Sequence, residues 1–218
     1  MTLWRKHWTP TFIVDRIAVM RWERANPDKP WLVRGAVEAM ADLIRPGETV
    51  VEFGSGRSTR WFSQRVGPSG RVISVEDYRP WYDKVAAELA AAKVENVEYL
   101  FVGKTAEEYL APATAAVERG RGAAGDALID VALADGFNHR DHAALWAIDR
   151  MRPGGLMIVD NVNWYLPHAT RTPASIGPNG RPATELWAEF FERTSTWRRA
   201  WFSSGVSDTA IFFAPPAK

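Results

Sequence analysis

The chain has 218 residues, a formal net charge of +1 and no cysteine. This length fits one α/β domain, and the lack of thiols excludes disulfide bonds, thiolate catalysis and thiolate metal sites. The near-neutral charge creates no overall field that would attract nucleic acid. No apolar run reaches membrane-spanning length and no signal-peptide pattern opens the chain, so we expect a cytoplasmic protein without a membrane partner.

Apolar residues at helical spacing predict a helix over residues 11–23 and a second helix that begins at Trp31 and ends before Pro46. Short β-branched runs then alternate with amphipathic segments. The predicted strands span 48–53, 71–76, 97–102, 128–134, 156–159, 197–202 and 209–213. The predicted helices span 57–66, 79–93, 105–118 and 140–151, and a last one contains residues 186–191. This order predicts a doubly wound, Rossmann-like α/β fold that ends in a β-hairpin.

We expect a single domain over residues 1–218 with four parts. These are an N-terminal helical cap (1–46), a cofactor-binding core (47–160), a loop (161–182), and a C-terminal helix with the hairpin (183–218). The loop contains four prolines and two glycines and has no periodicity. A long loop of this kind inside a compact domain is usually functional, so we predict a lid over the substrate.

A glycine turn follows the first predicted strand and reads Glu52-Phe53-Gly54-Ser55-Gly56. The second strand ends at Glu76, whose carboxylate could hold a ribose diol. The dinucleotide fingerprint G-x-G-x-x-G would require a third glycine where Thr59 stands. Glu52 would repel a pyrophosphate, whereas it would favour a ligand that carries an ammonium and a sulfonium. These features predict a nucleoside site for S-adenosylmethionine.

Four carboxylates stand at the ends of predicted strands: Glu52, Glu76, Asp135 and Asp160. The carboxyl ends of parallel strands meet at one edge of a sheet, where ligands bind. Carboxylates collected there repel one another unless cations or hydrogen-bond donors meet them. We therefore expect a cationic ligand, a metal, or both. The alternative for any one of these acids is a helix cap or a turn residue.

The order of these motifs resembles that of the class I S-adenosylmethionine-dependent methyltransferases across residues 30–214. The resemblance rests on the glycine motif, Glu76, the pair Asp135-Gly136 and the turn at 153–155. It implies a seven-stranded, mostly parallel sheet whose last strand is antiparallel. It also implies a set of cofactor-binding residues: Glu52, Gly54, Ser55, Gly56, Glu76, Asp77 and Asp135.

A narrower resemblance is to the catechol and caffeoyl-CoA O-methyltransferases, which bind magnesium through an Asp after strand four and an Asp-Asn pair after strand five. Asp135, Asp160 and Asn161 match that set, and such all-oxygen ligation suits Mg²⁺. Those enzymes carry a catalytic lysine three residues after the first Asp, where this chain has Asn138. The alternative is that Asp160 and Asn161 only shape the start of the loop.

We therefore expect methyl transfer to a small-molecule acceptor, with a hydroxyl oxygen as the preferred nucleophile. A hydroxyl must lose a proton, and the candidate catalytic groups are Asp135 and His139. The alternative for His139 is a helix cap or a solvent-facing side chain. Three other functions stay open: a nicotinamide-dependent oxidoreductase, an RNA-modifying methyltransferase, and a non-catalytic S-adenosylmethionine-binding protein. The sequence leaves the acceptor and the oligomeric state open, a homodimer included.

Overall fold

The computed structural model describes residues 9–120 and 129–217. The helices are α1 (Pro10–Ala25), α2 (Arg34–Leu43), α3 (Arg57–Val66), α4 (Arg79–Ala91), α5 (Ala106–Arg119), α6 (Arg140–Ile148) and α7 (Glu185–Arg193). The strands are β1 (Thr49–Phe53), β2 (Arg71–Glu76), β3 (Val97–Phe101), β4 (Ile129–Ala134), β5 (Met151–Asp160), β6 (Arg198–Ser203) and β7 (Asp208–Phe213). The predicted start of the fourth strand, Leu128, lies outside the described residues.

The seven strands form one sheet in the order β3-β2-β1-β4-β5-β7-β6. Strands β1 to β5 run parallel, and β7 is antiparallel to both of its neighbours. The predicted hairpin is thus present as β6 and β7, with β7 inserted next to β5. The doubly wound, mostly parallel sheet with an antiparallel last strand is confirmed.

Alternate residues of the central strands face two different helical layers. Val51 and Phe53 of β1 belong to the core beneath α5, α6 and α7, whereas Val50 belongs to the core beneath α2 and α3. Side chains alternate along a strand, so Glu52 faces the same layer as Val50. Its carboxylate is therefore directed towards α3, where it accepts a hydrogen bond from Thr59.

The two N-terminal helices differ in how they attach to the sheet. Helix α2 buries Ala36, Val37 and Met40, whereas no side chain of α1 is fully buried. Our prediction that the second helix begins at Trp31 is wrong by three residues, because Val33 still has an extended backbone (φ −59°, ψ 128°). Within the described residues, no helix combines the length and apolar character that crossing a membrane requires.

Strand β5 is longer than predicted, and the predicted turn at residues 153–155 lies within it. Ile129 of β4 pairs with Met151 of β5, and Val131 pairs with Leu156, so β5 has more residues than β4 between the two pairs. This bulge absorbs the extra residues, and Gly154 takes a positive φ of 80° there. Helix α6 consequently ends at Ile148 rather than at residue 151.

The segment between β5 and α7 is packed against the domain. It begins with a short 3₁₀ turn (Val162–Trp164), and the side chain of Leu166 is fully buried. The Thr172 hydroxyl donates a hydrogen bond to Asp208 of β7, and Arg171 forms an ion pair with Asp15 of α1. These contacts anchor the segment on both sides. Its movement as a lid stays a prediction.

Candidate functional site

The glycine turn after β1 is held in place by the neighbouring strand ends. Gly54 has a φ of +94°, and a Cβ there would lie 2.5 Å from the backbone nitrogen of Gly136. Gly54 is therefore required by the close approach of the loop after β4. The backbone N–H of Gly54 donates to Val75 O, that of Ser55 to Glu76, and that of Gly56 to Thr59.

Glu76, at the end of β2, lies buried against this turn. Its Oε2 accepts hydrogen bonds from the backbone N–H and the hydroxyl of Ser55, and its Oε1 accepts from the N–H groups of Asp77 and Tyr78. The Ser55 hydroxyl also lies 2.7 Å from the Tyr99 hydroxyl. A ribose hydroxyl could thus replace Ser55 Oγ on the carboxylate while Ser55 keeps a partner in Tyr99.

Asp77 connects the ends of three strands. Its Oδ2 accepts from Lys104 Nζ at 3.1 Å and from Asn138 Nδ2 at 2.6 Å. Lys104 follows β3, and Asn138 lies in the loop between β4 and α6. Asn138, which we compared with a catalytic lysine on sequence grounds, therefore holds this carboxylate.

A cavity of 380 Å³ opens between these groups at the carboxyl ends of β1, β2 and β4. It is lined by Gly54, Ser55, Glu76, Asp77, Tyr78, Trp81, Lys104, Asp135, Gly136, Phe137 and Asn138. We call it the cofactor cavity. Phe137 is 94% exposed at its rim, and Trp81 donates its indole N–H to Ser55 O. A larger cavity of 1050 Å³ lies at the amino ends of β2 and β3, away from the strand-end acids.

Glu52 is fully buried beneath the turn and does not line the cofactor cavity. Its Oε2 accepts hydrogen bonds from the hydroxyls of Thr59 on α3 and Ser74 on β2. Burial raises the pKa of Glu52 to about 7 despite these hydrogen bonds. Its described contacts anchor the turn from below, and direct contact with a cofactor stays a prediction.

The three predicted metal ligands lie around one guanidinium group, that of Arg140. The Arg140 side chain is 8% exposed, and its Nη2 lies 3.1 Å from Asp135 Oδ1. Its Nη1 donates to Asn161 Oδ1 at 3.1 Å and to the backbone carbonyl of Asp160 at 2.7 Å. The structure therefore brings the three residues together, but around a cation that the chain itself supplies.

The remaining donors of this cluster are also satisfied. Arg140 Nε donates to Gly136 O and Nη2 also donates to Asp135 O, so all five guanidinium N–H groups have acceptors. Asp160 Oδ1 accepts from Thr209, and the Asn161 amide donates to Ser207. A divalent cation on these ligands would lie against a buried positive charge. The residues present do not fit a magnesium ion, and no group of three or more His, Asp or Glu able to hold a metal occurs in residues 9–120 and 129–217.

Burial raises the pKa values of both carboxyl groups in this cluster. The pKa of Asp160 rises to about 6 because burial outweighs the Thr209 hydrogen bond and the charge of Arg140. The pKa of Asp135 is raised by burial and by its negative neighbour Asp160, and Arg140 offsets part of that rise. Asp135 is the member of this cluster that also lines the cofactor cavity.

The described contacts of the His139 ring are with the loop after β3, with Tyr109 and with His142. His139 precedes α6 in a left-handed conformation (φ 51°), and its Nε2 lies 2.8 Å from the backbone carbonyl of Lys104. Its ring packs near Tyr109, with ring centroids 5.7 Å apart, and near His142, at 5.4 Å. The structure thus places His139 on the β3 side of the site, and its catalytic role stays a prediction.

A second cavity of 320 Å³ lies beside the cluster, between α1, the start of α2 and the turn between β6 and β7. It is lined by Asp15, Arg16, Ala18, Val19, Trp22, Glu23, Trp31, Leu32, Val33, Arg34, Gly35, Asp160, Asn161, Ser203, Ser204, Val206 and Ser207. We call it the lateral cavity. Its Trp31 stacks at 6.1 Å on Trp81 of the cofactor cavity. Two links therefore join the cavities, this aromatic pair and the Arg140 cluster.

Sequence reasoning missed two residues that organise the site. Thr59 appeared only as a missing glycine, although a polar side chain three residues after a helix N-cap can accept from the N-cap N–H, as Thr59 does from Gly56. Arg140 carried a weaker signal, since it was one arginine shortly after a strand-end acid. Its position depends on the left-handed turn at His139, which residue types alone do not specify.

The model of a methyltransferase-domain family matches residues 51–162, just over half of the chain. Among proteins with curated functions, none matches the chain. Solved structures do match it over most of its length. The O-methyltransferase TomG from Streptomyces achromogenes, in complex with S-adenosylmethionine, is 19% identical with a TM-score of 0.57, covering 91% of this chain and 89% of its own.

Two further solved structures have a similar degree of likeness. An O-methyltransferase from Bacillus cereus, in complex with S-adenosylhomocysteine (SAH), is 16% identical with a TM-score of 0.58, covering 92% of this chain and 90% of its own. A candidate caffeoyl-CoA O-methyltransferase from Staphylococcus aureus is 14% identical with a TM-score of 0.58, covering 90% of each chain. At these identities the likeness establishes the fold.

Proposed function

The chain belongs to the methyltransferase-domain family, and on this basis we propose that it transfers a methyl group from S-adenosylmethionine to a hydroxyl oxygen of a small molecule. The cofactor assignment rests mainly on where the backbone N–H groups of the glycine turn are hydrogen-bonded. The N–H groups of Gly54, Ser55 and Gly56 are all bonded to acceptors of the chain itself. The turn therefore offers no cradle for a pyrophosphate, which a nicotinamide dinucleotide would need.

The charges around the cofactor cavity support the same choice. Glu76, Asp77 and Asp135 line it, and Lys104 is the cation on its wall. Lys104 pairs with Asp77 and Arg140 pairs with Asp135, whereas Glu76 forms no ion pair among the described residues. The charge of Glu76 suits a ligand that carries an ammonium and a sulfonium, and it opposes a phosphate. We assign the ribose hydroxyls to Glu76 and the adenine to the neighbourhood of Asp77. The methionine part then borders Gly54 to Gly56, and Asp135 lies at the reacting end.

Bound S-adenosylmethionine supplies an electrophilic methyl group on a positively charged sulfur. The chain must hold an acceptor in line with that methyl group and exclude water. The lateral cavity is suited to the acceptor, because it shares the Arg140 cluster and the Trp31–Trp81 pair with the cofactor cavity. Its tryptophans give an apolar wall, and Asp160 and Ser207 offer polar contacts for a hydroxyl group.

Loss of the hydroxyl proton needs an acceptor near the reacting end. Of the two predicted catalytic residues, Asp135 lines the cofactor cavity, whereas the His139 ring is bonded to Lys104 O. Asp135 is therefore our first candidate. Asp135→Asn should lower kcat much more than His139→Ala does, and the reverse order would assign the role to His139.

Calorimetry with S-adenosylmethionine tests the cofactor assignment. Glu76→Ala should weaken binding by roughly 10- to 100-fold, because it removes a charged hydrogen-bond acceptor. Glu88→Ala is the matched control, since Glu88 is an exposed acid on α4 that pairs with Lys84 and does not line the cofactor cavity. Circular dichroism checks that both variants are folded. Equal affinities in wild type and Glu76→Ala, or tight binding of NADH instead, would contradict the assignment.

Turnover is tested with methyl-labelled S-adenosylmethionine and a panel of phenols, alcohols and amines, with mass spectrometry of the products. Label on an oxygen supports the proposal. Transfer only to amines would keep the cofactor and correct the nucleophile. Tight cofactor binding without transfer to any acceptor would favour a non-catalytic binding protein.

A further inference from the structure

The cluster at the ends of β4 and β5 resembles a metal site in which the metal has been replaced. Asp135 Oδ1, Asn161 Oδ1 and the backbone carbonyl of Asp160 converge there, as the oxygen ligands of a divalent cation would. The guanidinium of Arg140 lies between these groups and donates all five of its N–H groups to acceptors at this edge of the sheet. A buried arginine with every donor satisfied is a fixed element of the fold.

Two unusual backbone conformations build the cluster. His139 and Asn161 both have left-handed φ angles, 51° and 49°, although neither is glycine. The first turns the chain so that α6 begins with Arg140 next to the strand ends. The second turns Asn161 so that its carboxamide accepts from Arg140 and donates to Ser207. His and Asn adopt this conformation more readily than most residue types, and here each of the two turns brings a side chain of the cluster into place.

We propose that Arg140 takes the place of the divalent cation at the acceptor end of the site, so that this chain neither binds nor needs a metal there. Arg140 acts as a positioning residue. It fixes the Asp135 carboxylate on the wall of the cofactor cavity and the Asn161 carboxamide on the wall of the lateral cavity. The prediction that wild type binds no metal here does not depend on the proposed function, whereas the prediction of metal-independent turnover rests on it.

The positive charge of Arg140 should control the affinity of this cluster for a divalent cation. A unit positive charge a few ångströms from a divalent cation opposes binding strongly when the pair is shielded from water. Removing that charge leaves the Asp135 carboxylate, the Asn161 carboxamide and the Asp160 backbone carbonyl facing the space, with the Asp160 carboxylate bonded to Thr209. Arg140→Gln should therefore create a metal site where wild type has none, whereas Arg140→Lys keeps a positive charge and should not.

Electron paramagnetic resonance of free Mn²⁺ measures this directly. Wild type should leave the Mn²⁺ signal unchanged at about 1 mM metal, the range of weak protein sites. Arg140→Gln should bind one Mn²⁺ per chain at least roughly tenfold more tightly. The added substitution Asp135→Asn should abolish that binding, because it removes the carboxylate that contacts Arg140. Arg152→Gln is the matched control, because it frees the Asp130 carboxylate at the other end of β4.

Binding of Mn²⁺ by wild type with loss in Asp135→Asn overturns the proposal, and so does a folded Arg140→Gln variant that binds no metal. If Arg140→Gln does not fold, wild type and Arg140→Lys still decide, because Mn²⁺ binding by either contradicts it. Turnover should be unchanged by EDTA. Failure of the proposed function would instead appear as missing S-adenosylmethionine binding, which is independent of the Mn²⁺ measurement.

Discussion

Gly54 shows how one residue joins the two halves of the site. Its positive φ and the 2.5 Å approach of a would-be Cβ to Gly136 N make any side chain unfavourable. Gly54→Ala should lower the free energy of unfolding by about 3 kcal/mol or more, because strain adds to a clash with backbone. The same change should weaken S-adenosylmethionine binding, since relief of the clash moves the turn. Urea unfolding and calorimetry measure the two effects.

Gly67 provides the control for this prediction. Its φ of +65° and ψ of −174° also favour glycine, yet a Cβ there would meet nothing within 4 Å. Gly67→Ala should therefore cost only the conformational strain, about 2 kcal/mol, and leave cofactor binding intact. Equal losses of stability in the two variants would show that the contact with Gly136 does not constrain the turn.

At the residue scale, the sequence was informative about the acids and much less so about their partners. The positions of Glu76, Asp135 and Asp160 followed from where strands end, because that rule depends only on periodicity. The role of Glu52 did not follow, because its direction depends on which helical layer the strand face meets. Arg140 depends on a left-handed residue before a helix, a conformation that many residue types can adopt when tertiary contacts favour it.

At the scale of elements, hydrophobic periodicity predicted most strands to within one or two residues. It failed at β5, where Pro153 and two glycines suggested a turn. The bulge opposite Ile129 allows these residues to stay in the strand, and such bulges depend on the register with the neighbouring strand. The segment 161–182 was predicted as a loop, but its anchoring through Leu166 and Thr172 is a tertiary property.

Helix α1 covers the lateral cavity but is held weakly. No α1 side chain is fully buried, whereas α2 buries three, so α1 amides should exchange with solvent roughly 100-fold faster than those of α2. The Arg171–Asp15 pair tethers α1 to the segment after β5. Arg171→Gln should speed α1 exchange a further few-fold, in line with the modest strength of a partly exposed ion pair.

Hydrogen exchange read by mass spectrometry tests this prediction. Arg79→Gln is the control, since it removes an exposed ion pair with Asp83 within α4, a helix that does not line the lateral cavity. Exchange in α1 as slow as in the central strands would contradict the view that α1 opens over the lateral cavity. An equal effect of both substitutions on α1 would contradict the tether.

At the scale of the whole molecule, the strand order places the site. Chain order reverses between β1 and β4, because β2 and β3 extend the sheet on one side and β5, β7 and β6 extend it on the other. The loops after β1 and β4 therefore diverge and leave a crevice, as at the switch point of other open α/β sheets. The antiparallel β7 adds Thr209 and Asp208 beside β5, which fixes Asp160 and the segment after it.

The distribution of charge over the molecule predicts a small-molecule acceptor rather than RNA. The net charge is +1, and both cavities are lined by carboxylates, among them Glu76 and Asp135 in one and Glu23 and Asp160 in the other. A phosphate backbone that reached the reacting end would meet these carboxylates. Fluorescence anisotropy with labelled single-stranded RNA should therefore show only weak, non-specific affinity at about 150 mM salt, with a dissociation constant of about 10⁻⁵ M or weaker. The affinity should fall steeply as salt rises and should be unchanged by saturating S-adenosylmethionine. Submicromolar binding that persists in salt and tightens with S-adenosylmethionine would contradict this prediction and favour an RNA-modifying enzyme.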